Sequence, residues 1–108
     1  MSYYYIHINK KKVFLQYWFY GKLTIDFELD GVNKDYTIND LLYKYWLNII
    51  KPATNSCFTW EYCNPKMDLV RYSNGKQYSK STTLEQCCFI DGEAFTVLCG
   101  FSIFFNNN

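Results

Sequence analysis

Five cysteines and one histidine are the residues of this 108-residue chain whose types could support nucleophilic catalysis or metal binding. The thiols belong to Cys57, Cys63, Cys87, Cys88 and Cys99, and the histidine is His7. Zinc sites need closely spaced ligand pairs, and neither a Cys-x-x-Cys pair nor a second pair occurs. A nucleophilic Cys63 or Cys88 would need His7 as its base, yet no acidic residue is placed to orient that histidine. The sequence therefore predicts no catalytic residue, metal or cofactor, and the thiols are interpreted as small buried residues in a reducing compartment.

The charged residues offer two further kinds of chemistry. Asp26 and Glu28 share one face of a predicted strand, but no neighbour in sequence would activate either carboxylate for acid–base work. The lysines of residues 10–12, together with Arg71 and Lys76, could contact phosphate. However, 11 basic residues against 10 acidic ones give a net charge of only +1, too weak a field to attract nucleic acid or an anionic membrane. Any RNA contact is therefore expected to be indirect, and no membrane partner is predicted.

Aromatic side chains are the compositional excess, at 21% of residues from 11 Tyr, 9 Phe and 3 Trp. This apolar content excludes global disorder, and the length suits one domain with a single core. Trp60 and Tyr62 would lie either in a satellite core or at a partner site, where tryptophan and tyrosine are enriched. Phe101, Phe104 and Phe105 follow the last predicted strand, and large apolar residues there indicate docking on another chain. The composition thus favours a protein that is bound by other proteins.

A β-hairpin is the first element that would position these residues. Residues 13–20 are aromatic and β-branched, and Gly21-Lys22 supplies the turn. Residues 23–29 then alternate strictly between apolar and polar types, which predicts a strand with one packed and one solvated face. Such a hairpin needs another element to cover its apolar face.

One amphipathic helix is predicted to provide that cover. Thr37 and Asp40 have the spacing of a capped helix start, and the helix should run over residues 38–50. Its apolar stripe consists of Ile38, Leu41, Leu42, Tyr45, Trp46 and Ile49. Lys51-Pro52 should end the helix, because proline disfavours helical geometry in the residue before it.

Three more strands are predicted after the helix. Residues 57–62 and 67–73 form two of them, with Asn74-Gly75 as a turn, and residues 94–99 form the last. This order predicts an α+β fold of the β-grasp type, with a mixed sheet of four to five strands and one main helix. A ferredoxin-like fold would need a second helix.

The segment from Gly75 onward resembles ubiquitin. The motifs that carry the resemblance are Gly75-Lys-Gln-Tyr78, Thr83-Leu-Glu-Gln-Cys87, Phe89, Ile90-Asp-Gly92 and Phe95-Thr-Val-Leu98, with Thr37-Ile-Asn-Asp-Leu41 earlier. The resemblance implies that Leu84 and Phe89 plug the core, that Phe95 and Val97 point inward, and that Cys88 adopts a left-handed turn conformation. It also places Tyr72 and Leu98 on the binding surface of the sheet, although the alternation near Asn74 equally allows Val70 and Tyr72 to point inward with Arg71 outside.

The segment between helix and last hairpin, residues 52–67, is longer than in ubiquitin and carries Phe58-Thr-Trp60-Glu-Tyr62. This Trp-x-Tyr element, followed by Gly75-Lys-Gln and a Thr-Leu turn, resembles the ubiquitin-like subunits of the minor spliceosome's small nuclear ribonucleoprotein. The resemblance implies a nuclear assembly subunit that binds other proteins, with the cytoplasm as the alternative location. The chain lacks the diglycine end of ubiquitin, so conjugation to substrates is not expected. A ubiquitin-pathway adaptor, another ubiquitin-like scaffold and, remotely, a small cysteine enzyme are the alternatives.

The predicted organisation is an arm or extra strand over residues 1–12, a ubiquitin-like domain over residues 13–99 with its insertion, and a tail over residues 100–108. The predicted partner-binding residues are Trp60, Tyr62, Arg71, Tyr72, Lys76, Leu98 and Phe101.

Overall fold

The computed structural model describes the backbone of residues 11–19 and 22–101, and the side chains of residues 27–29 and 31–101. His7, Phe104 and Phe105 lie outside these described residues, as do most of the arm of residues 1–12 and the end of the tail.

A four-stranded mixed sheet is the scaffold of the molecule. Its strands are β1 (Lys11–Phe19), β2 (Lys22–Val32), β3 (Met67–Arg71) and β4 (Ala94–Cys99), in the order β2-β1-β4-β3. The hairpin of β1 and β2 is antiparallel, β4 lies parallel to β1, and β3 is antiparallel to β4. The predicted hairpin, the predicted last strand and its place beside the first strand are thereby confirmed.

The helix begins as the sequence predicted, at a reciprocal capping box. Thr37 Oγ1 accepts from the Asp40 N–H at 3.1 Å, and Asp40 Oδ2 accepts from the Thr37 N–H at 2.9 Å. Two of the amides that the first turn leaves unpaired are therefore satisfied. Helix α1 (Ile38–Tyr45) follows directly.

The helix does not end at Lys51-Pro52 as expected. It continues through a π-helical turn (Trp46–Ile50) into the short α2 (Lys51–Ala53). The Lys51 N–H bonds to the Trp46 carbonyl, so the turn holds one extra residue, and Pro52 stands in the first turn of α2, where its missing N–H costs little. The extra residue also rotates the apolar stripe, so that Ile50 is fully buried and the predicted Ile49 is only half-buried.

The strand predicted over residues 57–62 was wrong. Residues 57–59 are irregular, and α3 (Trp60–Cys63) leads into a 3-10 turn (Asn64–Lys66). Thr59 caps α3 by accepting a hydrogen bond from the Tyr62 N–H at 3.2 Å. An alternating run this short fits a strand and a single capped helical turn equally well.

The core lies between the helix and one face of the sheet. Its largest fully buried side chains are Tyr45, Phe95, Ile38, Leu41, Leu42, Ile50, Met67, Leu69 and Leu84. Phe95 and Val97 point inward and Phe89 packs against the cluster, as predicted. Of the five cysteines interpreted as buried, Cys57 and Cys88 are instead exposed, because both lie in surface turns.

Candidate functional site

The candidate site is the sheet face turned away from the helix, formed by β3 and β4. In β3 Leu69 and Arg71 are buried while Val70 is half-exposed, so strand alternation directs Val70 outward. Val70 pairs with Thr96, and Leu98 lies two residues further along β4 with 43% of its surface exposed. We call Asp68, Val70, Thr96 and Leu98 the outer face.

Tyr72 extends this face beyond the end of β3. It is 61% exposed, and its N–H bonds to the Ala94 carbonyl at 3.0 Å, so its backbone still follows β4. Beyond it the chain reverses at Gly75, which has φ +68°, and the Gly75 N–H bonds to the Arg71 carbonyl at 2.8 Å. Lys76 is exposed next to this turn, with Nζ 4.9 Å from the Tyr78 ring centroid.

The structure thus places Tyr72 and Leu98 on the same face of the sheet, at opposite ends of the β3–β4 pair, with Lys76 beyond the Tyr72 end. Val70 lies between Tyr72 and Leu98. The sequence analysis did not select it as a binding residue and considered it only as a residue that could point inward. The sequence alone does not show that Val70 pairs with Thr96, and this register is what directs the Val70 side chain outward.

Arg71 does not belong to this surface. The residue is only 8% exposed, and its guanidinium Nη2 lies 2.8 Å from Glu93 Oε1. Nη1 donates to the Tyr78 hydroxyl at 2.9 Å, and Nη2 also donates to the Cys88 carbonyl at 3.3 Å. The hydrogen bond to Glu93 raises the pKa of Arg71 further, against the opposing effect of burial. This network engages Nε and both Nη atoms within the protein, and the partner-binding role of Arg71 stays a prediction.

A second surface of the molecule is an aromatic groove between the helix and the inserted segment. Tyr43 on α1, Trp46 at the π turn and Trp60 on α3 form a three-ring cluster. Ring centroids are 5.2 Å apart for Tyr43 and Trp60, 5.8 Å for Tyr43 and Trp46, and 6.0 Å for the two tryptophans. The groove has a volume of about 460 Å³, and Lys51 and Glu61 also line it.

The inserted segment is held to the helix by a side-chain hydrogen bond. Trp46 Nε1 donates to the Phe58 carbonyl at 2.8 Å. Trp60 is half-buried and packs against the core, while the rest of its side chain is open to solvent, and its partner-binding role stays a prediction.

Tyr62 and Phe101 meet on the other side of the same segment. Their ring centroids are 5.8 Å apart, and each packs on Phe58 at 5.5 Å and 5.4 Å respectively. Tyr62 is 46% exposed, and Lys66 Nζ lies 5.0 Å from its ring centroid. Phe101 therefore packs on Phe58 and Tyr62 of its own chain, so only part of its side-chain surface remains open to a partner.

Three of the thiols are embedded in the protein. Burial raises the pKa of Cys63 and of Cys87, and it raises the pKa of Cys99 to about 12. A nucleophilic thiol needs the opposite shift, because the thiolate is the reactive species. Within residues 11–19 and 22–101, no three His, Cys, Asp or Glu residues are close enough to hold a metal ion. No helix in this part of the chain is long and apolar enough to cross a membrane.

Solved structures of ubiquitin-like proteins share this architecture. The ubiquitin of Caldiarchaeum subterraneum gives a TM-score of 0.63 at 17% identity, over 86% of this chain and 96% of that chain. A ubiquitin-like domain from an Arabidopsis thaliana protein gives 0.60 at 14% identity, over 94% and 92%. A de novo designed protein based on ubiquitin gives 0.57 at 18% identity, over 93% and 100%. In sequence, no protein-family model and no curated protein matches the chain.

The chain therefore has the ubiquitin-like β-grasp fold, as the sequence predicted. At these identities the likeness concerns the fold alone. The more specific resemblance to the 25-kDa ubiquitin-like protein of the minor spliceosome finds no support in these structures.

Proposed function

We propose that this protein is a non-enzymatic interaction module that binds another protein through its outer face. The observation that carries the proposal is the exposure of Leu98 and Tyr72, at 43% and 61%, on either side of Val70. Aliphatic and aromatic side chains on the solvated side of a sheet stabilise the monomer less than buried ones, because much of their apolar surface still contacts water. A partner that buries them gains hydrophobic free energy that the folded monomer leaves unused.

The strands that hold these residues favour binding for a second reason. Val70 and Leu98 lie on paired strands, so their backbones are already ordered before a partner arrives. The entropic cost of association is smaller for such a surface than for a loop. Tyr72, with few rotatable bonds and a hydroxyl, suits the rim of an interface.

The absence of enzymatic activity is part of the proposal. It is supported by the raised pKa values of Cys63, Cys87 and Cys99, which keep these thiols protonated at neutral pH. A thiol-reactive probe should label the exposed Cys57 and Cys88 only at the rate of an ordinary free thiol. Labelling of either cysteine far above that rate would favour the cysteine-enzyme alternative.

Capture from cells at native expression level tests the binding proposal. Three baits are compared: the wild type, Leu98→Arg and Ile90→Arg. Ile90 is an exposed aliphatic residue outside the outer face, 67% exposed, so its variant controls for the added charge. We expect a set of proteins that Ile90→Arg retains and Leu98→Arg loses. Recovery of the same set of proteins with all three baits would contradict the proposal.

The same capture addresses the finer prediction of a minor-spliceosome subunit in the nucleus, which rests on the sequence resemblance of residues 52–67. Recovery of splicing proteins together with small nuclear RNAs would support it, and their absence would remove it. Recovery of ubiquitin-recognition proteins would instead favour the adaptor alternative, whose surface would be Tyr72 and Leu98.

A further inference from the structure

The aromatic groove is a surface that the proposed function does not use. Its rings, on Tyr43, Trp46 and Trp60, lie on the helix side of the sheet, whereas Leu98 faces the other side. A monomer gains little from leaving a cleft of about 460 Å³ open beside these three aromatic rings. Aromatic clefts of this kind on a folded domain are typical of peptide-recognition sites.

The groove holds donors on Trp60, Tyr43 and Lys51, and it is also lined by Ser56, Thr59 and Glu61. Trp60 lines the groove, and its indole N–H makes no hydrogen bond to any described residue; the same holds for the Tyr43 hydroxyl. The Lys51 ammonium lies 5.7 Å from the Trp46 ring centroid and adds a positive charge at the wall. The acidic group is Glu61, on the exposed first turn of α3.

We propose that the aromatic groove binds a proline-rich segment of a partner protein in the polyproline II conformation. Such a segment presents backbone carbonyl oxygens and few N–H groups, which complements the donors of Trp60, Tyr43 and Lys51. Its pyrrolidine rings pack on aromatic faces, and its extended form is largely set before binding, so little entropy is lost. Glu61 would pair with a basic residue flanking the prolines.

A methylated lysine is the other ligand that aromatic clusters recognise. Lys51 disfavours it, because its ammonium already lies over the Trp46 ring, at 5.7 Å from the centroid, where the cation of a methylated lysine would have to bind. The ring centroids are also only 5.2 to 6.0 Å apart, so the rings contact one another rather than surround a space for an ammonium group. The proline-rich ligand is therefore favoured.

Fluorescence polarisation with labelled peptides tests the proposal on the full chain. The probe is a decaproline peptide with an arginine at each end, and the comparison peptide replaces the prolines with alternating glycine and serine. A peptide with one trimethyl-lysine is the third ligand. We expect saturable binding of the proline probe alone.

Variants locate the binding. Trp60→Ala and Tyr43→Ala should each weaken binding about tenfold or more, as aromatic anchors do. Tyr43→Ala is the essential variant, since Tyr43 is 39% exposed and its truncation spares the fold. The matched control is Tyr62→Ala. Tyr62 is an exposed aromatic residue on α3, like Trp60, but it lies outside the groove, so this variant should bind the probe as the wild type does. Glu61→Gln should weaken the arginine-flanked probe and not an uncharged decaproline.

Three results would overturn the proposal: equal binding of the glycine–serine peptide, wild-type affinity in both Tyr43→Ala and Trp60→Ala, or preference for trimethyl-lysine. Leu98→Arg should leave the proline probe bound. Failure of the probe would thus leave the capture result on Leu98 intact, so the two proposals fail separately.

Discussion

Arg71 and Glu93 form the one ion pair between largely buried side chains in the described part of the chain. Nη2 and Oε1 are 2.8 Å apart, and the two side chains are only 10% and 11% exposed. An aliphatic residue would be the ordinary occupant of an inward position on a strand. The pair is tolerated because the Tyr78 hydroxyl and the Cys88 carbonyl accept two further hydrogen bonds from the guanidinium.

Removing one partner of this pair should be strongly destabilising. Glu93→Gln leaves the guanidinium charge buried without its counter-charge, and we expect the free energy of unfolding to fall by about 3 kcal/mol. The double variant Arg71→Met with Glu93→Gln should cost less than the sum of the two single variants, as measured by urea unfolding.

The exposed pair of Lys34 and Glu85 provides the matched control. Their charged atoms are 3.5 Å apart, and the side chains are 68% and 63% exposed. Glu85→Gln should change the free energy of unfolding by no more than about 0.5 kcal/mol. If Glu93→Gln lowered the free energy of unfolding by no more than Glu85→Gln does, the structural role of the buried pair would be contradicted.

Cys99 should make stability depend on alkaline pH. Burial, with a smaller contribution from Cys63, raises its pKa to about 12 in the folded protein. Above the ordinary thiol pKa of about 8.5, the unfolded chain releases this proton while the native state keeps it, so rising pH favours unfolding. The Cys99 contribution to the free energy of unfolding should fall by about 1.4 kcal/mol per pH unit above that point.

Comparison of two alanine variants between pH 8 and pH 10.5 isolates this effect. Cys99→Ala should flatten the alkaline decline, whereas Cys57→Ala, which removes an exposed thiol, should keep it. Identical slopes in both variants would show that Cys99 is not embedded as the structure describes.

At the scale of elements, the cap of α1 is the feature that one substitution tests most cleanly. Thr37→Ala removes the acceptor for the Asp40 N–H and should lower the free energy of unfolding by about 1 kcal/mol. Thr37→Ser keeps the hydroxyl and should retain most of the stability. Equal losses for both variants in urea unfolding would mean that the methyl group of Thr37, and not its cap, is what stabilises the helix.

The elements also show what the sequence could predict. The hairpin, the capped helix start and β4 each follow from local signals: alternation, a Thr-x-x-Asp spacing and a preceding turn. The π turn before Pro52 could not be predicted, because it depends on burying Ile50 against the sheet, which is a tertiary effect. A possible local signal for α3 was Thr59, a capping residue three positions before Tyr62.

The site was predicted less completely than the fold. Trp60 could be selected because tryptophan in an inserted segment is typical of a partner site, and Tyr72 and Leu98 could be selected from the resemblance to the sheet surface of ubiquitin. The direction of Arg71 could not, since its partner Glu93 lies 22 residues away and no local pattern encodes that pairing. Long-range pairing likewise decides that Val70 faces outward opposite Thr96.

At the scale of the whole molecule, the chain presents two separate surfaces on opposite sides of one sheet. The outer face offers Val70 and Leu98 on rigid strands, and the aromatic groove is formed by the helix and the inserted segment. One continuous core lies between them. A module of this form can join two partners, and each surface can be removed by substitution without the other.

The most direct measurement of the central claim is calorimetric titration of a captured partner, purified, into the wild type, Leu98→Arg and Ile90→Arg. The account predicts that Leu98→Arg weakens the affinity about a hundredfold or more, because a charge is driven into an apolar interface, while Ile90→Arg binds like the wild type. Equal affinities for all three proteins, with native spectra, would contradict the outer face as the binding surface.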